Sequence, residues 1–150
     1  MSGPAQERLL TFEIGASLFA VPIAGVHEVA EMVELACIPT LPREIAGVIN
    51  YRGDALPVVH RERLLQPGEG ALDEPEHVLV ISDRPSSPPC LGLNVDRVLG
   101  LVDCAPAQGR GSDPVVEKRP MDGRVAHILD PARLVARARQ VIEDALARGE

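Results

Sequence analysis

The chain has four histidines, and three of them stand beside acids in a way that suits proton transfer. His27-Glu28, His60 with Glu62, and His127 with Asp130 each pair an imidazole with a nearby carboxylate, the combination that general acid–base catalysis uses. None of these pairs has a nucleophile motif close by. The serines fall in the amino-terminal tail, in turns and in loops, and no Gly-x-Ser-x-Gly elbow occurs. No Gly-x-Gly-x-x-Gly run and no phosphate-binding loop is present. Cys37, Cys90 and Cys104 are widely spaced and odd in number, without Cys-x-x-Cys or His-x-x-x-His spacing. They predict reduced, mostly buried thiols, with neither a disulfide framework nor a zinc site. The residue types therefore assign no catalytic residue, no metal and no cofactor, and the histidines are expected at the surface or rim.

Charge narrows the function further. Fifteen basic residues against 22 acidic ones leave a net charge of −7, which disfavours nucleic acid as a partner. Two Phe and one Tyr cannot supply a base-stacking platform. Lys118 is the single lysine, so there is no polybasic patch for a membrane surface. Residues Met1 to Arg8 are polar, and no stretch approaches ~20 apolar residues. A cytoplasmic protein without membrane insertion is expected. With 150 residues and 45% hydrophobic content, the chain can bury a core of one domain without staples.

The elements that must position these groups are mostly short strands. Leu10, Phe12 and Ile14 alternate with Thr11 and Glu13, which predicts a half-buried strand. Gly15 to Ser17 reads as a turn, and Leu18 to Val21 as the hairpin partner. Pro22 lacks an N–H and is expected at an edge or opening a helical turn. Val26 to Ile38 reads as a short turn passing into a strand, and Pro42 to Ile45 as one helical turn. Further strands are expected at Gly47–Tyr51, Ala55–Val59, His77–Ser82, Cys90–Val95, Val98–Val102 and Val125–Leu129. His60 to Leu65 reads as one or two helical turns and Gln66 to Glu76 as a surface loop. Ala105 to Gly123, with three Pro and three Gly, is expected to be the least regular internal segment, with a possible short strand at Val115-Val116. Asp130-Pro131 marks a helix start. Leu134, Val135, Ala138, Val141, Ile142, Ala145 and Leu146 then recur at helical spacing, predicting a helix from Pro131 to about Arg148. Eight or nine strands and one terminal helix suggest a closed or nearly closed β architecture.

One segment is not generic. Pro42 to Val59 packs a turn, a strand, an Arg-Gly bend and a second strand into a short span. Gly53 is expected to supply positive φ at the bend. Asn50 and Arg52 carry directional polar groups in an otherwise apolar hairpin. If Arg52 is partly buried it needs a carboxylate, and Glu28 is the candidate for a structural Glu28–Arg52 ion pair; the plainer reading is a stable hairpin with a surface arginine.

This segment resembles the signature of the CheW-like family of chemotaxis adaptors, roughly P-x-x-I-x-G-V-x-N-x-R-G-x-x-x-P-V. Pro42, Ile45, Gly47, Val48, Asn50, Arg52, Gly53, Pro57 and Val58 match it. Phe12 to Gly15 and Phe19 to Ile23 look like the family's opening hairpin. Val26 to Val29 resembles its V-x-E-I element, and Gly92 to Val98 its G-L-x-V-D-x-V run. The resemblance runs in order from about Leu9 to Leu134.

The resemblance implies a mainly β fold of two intertwined, SH3-like five-stranded barrels around a shared apolar core, with residues 1–8 as a flexible tail and 9–148 as one domain. It implies no active site and no cofactor. It also implies an adaptor that binds the cytoplasmic tip of methyl-accepting chemoreceptors, with a histidine kinase's regulatory domain or another CheW-like adaptor as further partners. Carried over by motif position, the receptor contacts would be Val26, Glu28, Gly47, Asn50 and Arg52, with Leu101 near the second barrel's edge. Two departures stand out. His60 occupies a position where the family usually has Asp, and the interval from Asp103 to Val125 is short. The second barrel is therefore expected to be incomplete, which bears on kinase binding more than on receptor binding. A small-ligand or enzymatic barrel built around His60 and Glu62 is the alternative.

Overall fold

The alternation around Leu10, Phe12 and Ile14 forms β1 (Glu7–Ile14), which turns through Gly15 at φ 61° into β2 (Ser17–Pro22). The structure, a computed structural model, describes residues 6–31, 43, 45–66, 68–72, 75–107 and 109–147. Pro22 ends β2 and leads into a 3₁₀ turn, Ile23–Gly25, as a residue without an N–H should. β3 (Val26–Glu31), β4 (Ile45–Tyr51) and β5 (Asp54–Val59) follow, then a second 3₁₀ turn at Arg61–Arg63. β6 (His77–Ile81), β7 (Leu91–Val95), β8 (Arg97–Cys104), β9 (Val115–Met121) and β10 (Arg124–Leu129) come next, and α1 (Pro131–Ala147) is the last element of the described residues. The expected strand over residues 32–38, the helical turn at Pro42 and Glu44, and Cys37 lie outside the described residues.

The strands form two five-stranded sheets. The first runs β8-β1-β2-β10-β9 and the second β3-β6-β7-β5-β4. The first sheet thus takes strands from both ends of the chain, and the second is made from the middle, so the two are wound together. Each contains one parallel contact, β2 with β10 and β5 with β7.

Three apolar clusters show how the sheets curl. Leu9, Leu18, Ala20, Ala126 and Ile128 gather on one face of the first sheet. Ile49, Tyr51, Leu56, Val58, Val78 and Val80 gather on one face of the second. The largest cluster lies between the sheets, joining Phe12, Phe19 and Ile14 to Leu79, Ile81 and Leu93, with Leu134, Val135 and Ala138 of α1 closing it. Phe12 and Phe19 stack there with ring centroids 5.6 Å apart. This curling changes the expected half-burial of β1. Thr11, on the face predicted to be polar and open, is only 6% exposed and donates its hydroxyl to the Gly100 carbonyl at 3.0 Å. Both faces of β1 are covered because one packs between the sheets and the other inside the curl of its own sheet.

The interval after Asp103 departs from expectation most. It contains β9, seven residues long, which pairs with β10 and gives the first sheet its fifth strand. The expected incomplete second barrel is therefore corrected. The signal was masked because Pro120 interrupts the β pattern. On this edge strand a missing N–H is tolerated, since only one side of β9 faces a ladder. Asp122 and Gly123, at φ 51° and 77°, form the two-residue bend into β10.

One boundary also shifts. β1 takes in Glu7 and Arg8, placed in the tail by their polarity, because Arg8 Nε donates to Asp103 Oδ1 on β8 at 3.0 Å. Gly68 and Glu69, in the expected surface loop, are tied to the β1–β2 turn: Gly68 N–H donates to the Ile14 carbonyl and Ala16 N–H to the Glu69 carbonyl, both at 2.9 Å. In α1 the apolar stripe buries Leu134, Val135, Ala138 and Ala145, whereas Leu146 is exposed. Among the described residues no helix is long and apolar enough to cross a membrane.

Helix α1 docks on a glycine. A Cβ on Gly25 would collide with the Pro131 ring, and a ring cannot swing aside as a flexible chain end can. Gly25→Ala is expected to destabilise the fold by ~1–3 kcal/mol through overpacking. Urea unfolding would report this as a lower midpoint, and an unchanged midpoint would show that α1 yields at this contact.

Candidate functional site

The β4–β5 hairpin is set by its two-residue bend. Tyr51 pairs with Asp54 across it, leaving Arg52 and Gly53 at φ 51° and 88°, the φ pattern of a type I′ turn. The sequence predicted positive φ at Gly53 alone. Arg52 shares it because a two-residue hairpin loop of this hand needs both positions left-handed. Asn50 Oδ1 accepts the Gly53 N–H at 3.0 Å and braces the bend. The turn thereby holds an exposed arginine in a defined place, at a backbone cost of ~1 kcal/mol or more.

The guanidinium carbon of Arg52 lies 5.1 Å from the centre of the Tyr51 ring, a cation–π contact. The Tyr51 side chain packs among the second sheet's own cluster, and its hydroxyl finds no hydrogen-bond partner of good geometry among the described residues. Burial pushes the Tyr51 pKa up, and the neighbouring Glu28 carboxylate pushes it further, while Arg52 opposes the rise. The expected Glu28–Arg52 ion pair is corrected here: it is not among the ion pairs of the described residues, and both side chains instead meet Tyr51. The reason is geometric. Glu28 on β3 and Arg52 after β4 come from opposite edge strands of one sheet, and Arg52 lies over the Tyr51 ring. Tyr51→Phe is expected to leave stability unchanged or slightly higher, because it removes a buried unpaired hydroxyl. Denaturant melts would test this; a loss above about 1 kcal/mol would mean that the hydroxyl is held by Glu28.

The structure gathers five of the six predicted contact residues on the second sheet. Val26 is half-buried and Glu28 exposed on β3; Gly47 is buried and Asn50 exposed on β4; Arg52 is exposed in the bend. Leu101 stands apart on β8, an edge strand of the first sheet, 52% exposed. Of the acid–base pairs, His60 Nδ1 lies 3.7 Å from Glu62 Oε1 at the surface. His27 Nε2 meets the Ser87 carbonyl at 2.8 Å and His127 Nδ1 the Leu18 carbonyl at 3.0 Å. Asp130 faces Arg133 at 3.6 Å. Among the described residues no group of three His, Cys, Asp or Glu side chains is placed to hold a metal ion.

Sequence reasoning missed the polar centre of the molecule. Arg61 Nη1 donates to Asp96 Oδ1 at 2.6 Å, with both side chains under a tenth exposed. Asp96 Oδ2 accepts the Gly15 N–H at 2.7 Å and the Leu72 N–H at 3.0 Å. Arg61 Nη2 donates to the Leu72 carbonyl at 2.7 Å. One carboxylate thus ties the β1–β2 turn of the first sheet to the segment after β5 of the second. Burial alone would raise the Asp96 pKa, but the Gly15 and Leu72 amides and the Arg61 guanidinium outweigh it, and the pKa is lowered. The signal was available in part: Asp96 belongs to the G-L-x-V-D-x-V run. Nothing local marked Arg61, in a surface-like Arg-Glu-Arg stretch, as its partner.

Two five-stranded sheets wound around a common core, with polar groups offered on an exposed hairpin, define a β-scaffold class of protein. The chain belongs to the CheW-like domain family, whose model matches residues 8–139. It is similar to chemotaxis protein CheW of Treponema pallidum (strain Nichols), 27% identical over 100 residues, which is 65% of this chain and 58% of that protein. It is also similar to protein FrzA of Myxococcus xanthus, 35% identical over 98 residues, 65% of this chain and 59% of that one. The match thus spans less than two thirds of these relatives' own length. In fold it resembles the crystal structure of the scaffolding protein TtCheW from Thermoanaerobacter tengcongensis, with a TM-score of 0.70 at 22% identity, covering 87% of this chain and 92% of that one.

Proposed function

We propose that this protein is a non-catalytic cytoplasmic adaptor of a chemotaxis-type signalling system. In this reading it binds the cytoplasmic tip of methyl-accepting chemoreceptors and helps assemble the receptor array. The observation that carries the reading is the convergence of Glu28 and Arg52 on Tyr51, with Val26, Gly47 and Asn50 on the same two edge strands. An exposed cation on the β4–β5 bend and an exposed anion on β3 suit the polar rim of a helix-in-groove contact. Leu101 would add an apolar contact from the other sheet. Coupling to the histidine kinase's regulatory domain is favoured over receptor binding alone, because β9 supplies the strand whose expected absence argued against it. A second CheW-like adaptor is a further candidate partner.

Calorimetry with a cognate receptor cytoplasmic hairpin, and separately with the kinase's regulatory domain, tests this reading. Saturable binding to both is expected. Binding to the receptor alone would reduce the protein to an accessory array component, and silence toward both would remove the adaptor reading.

A further inference from the structure

A cavity of about 780 Å³ lies away from Glu28 and Arg52, between the first sheet, the Arg61–Arg63 turn and α1. Its size falls in the ~300–1,000 Å³ range of small-ligand sites. Its cations are Arg63 after β5, Lys118 on β9 and Arg137 on α1, and its acids are Glu62, Asp113 and Glu117. Two of the acids are engaged: Asp113 Oδ1 accepts the Val115 N–H at 2.9 Å, and Glu117 Oε2 accepts from Arg119 Nε at 2.6 Å. Glu62 is exposed at the rim, 3.7 Å from His60. The cations are not engaged: among the described residues the side chains of Arg63, Lys118 and Arg137 have no hydrogen bond or ion pair. Arg137 is half-buried as well, and a charge withdrawn from water ordinarily has a counter-charge. His127, in the same wall, donates Nδ1–H to the Leu18 carbonyl at 3.0 Å, which leaves Nε2 uncommitted. Three uncommitted cations from three elements thus line one cavity of a protein whose net charge is −7.

We propose that this cavity binds a small phosphate-bearing anion carrying more than one negative charge. The Arg63 and Arg137 guanidinium forks would donate to phosphoryl oxygens, a match of geometry as well as charge, and Lys118 would add a third positive charge. This site is independent of the receptor-binding reading.

Calorimetric titration of the full chain with inorganic pyrophosphate at low salt tests the proposal, with citrate and a poly-glutamate peptide as parallel probes. The expected result is saturable one-to-one binding of pyrophosphate, tighter than citrate and weakened by added salt. Arg137→Gln and Lys118→Gln should each weaken it about tenfold or more. Arg139→Gln, on the same helix but outside the cavity wall, should leave it unchanged. Lys118 is exposed on an edge strand, so its variant keeps the test open if Arg137→Gln folds poorly. Absence of saturable heat, an equal loss in Arg139→Gln, or citrate binding as tightly as pyrophosphate would overturn the phosphate assignment. Binding of the acidic peptide alone would also overturn it, in favour of a macromolecular partner.

Discussion

Asp96→Ala is expected to destabilise the protein by roughly 3–5 kcal/mol, because it strands the Arg61 guanidinium as an unpaired buried charge. It also removes the acceptor of the Gly15 and Leu72 amides, both of which point at Oδ2. For a chain of this size the thermal midpoint should fall on the order of 10 °C. Asp96→Asn retains an oxygen acceptor but loses the charge, so a smaller loss in the same direction is expected. The pH dependence follows from the lowered pKa of Asp96. An unfolded carboxyl titrates near pH ~3.9, and the folded one lower. The stabilisation is thus fully present above the unfolded value and disappears as pH falls through the folded value. Wild-type and Asp96→Asn melting curves, compared from neutral pH down to about pH 2, should therefore converge in acid. A constant gap across that range would show that the carboxylate's charge is not what holds the two sheets together.

Arg52→Ala is expected to separate function from fold. On the receptor-binding proposal, affinity for the receptor hairpin should fall about tenfold or more. Stability should change by less than about 1 kcal/mol, since the arginine has a ring contact rather than a buried ion pair. Reversing the charge at Glu28 to Lys should weaken the same interaction without unfolding, because Glu28 is exposed. Calorimetry gives the affinity and thermal melting the stability. Full-strength receptor binding by a folded Arg52→Ala protein would remove the hairpin from the interface. Unfolding of that variant would instead mean that the cation–π contact supports the bend.

The parts of the molecule that were legible beforehand are those governed by neighbours along the chain. The β1–β2 hairpin follows from a period of two and a glycine bend. The α1 helix follows from Pro131 and a 3.6-residue stripe. The β4–β5 hairpin follows from Asn50, Gly53 and the apolar residues on either side. Even there, Arg52's left-handed backbone escaped notice, since only the two-residue length of the loop requires it.

What remained hidden depended on partners far away in sequence. β9 is a strand because β10 pairs with it; its own residues include Pro120 and three charges. Arg8 joins β1 through Asp103, 95 positions away. Arg61 and Asp96 are 35 positions apart, and both look like ordinary surface residues until the sheets close over them. The cavity cations come from three elements that only the wound sheets and α1 bring together. By itself, then, the sequence determined the strands and bends other than β9 and its turn, the terminal helix, and the family motif on the hairpin, because propensity, periodicity and turn chemistry act over a few residues. Which charges are buried, which are paired and which are left facing a ligand was decided only by tertiary structure, because desolvation and Coulomb attraction depend on distances that local pattern does not encode.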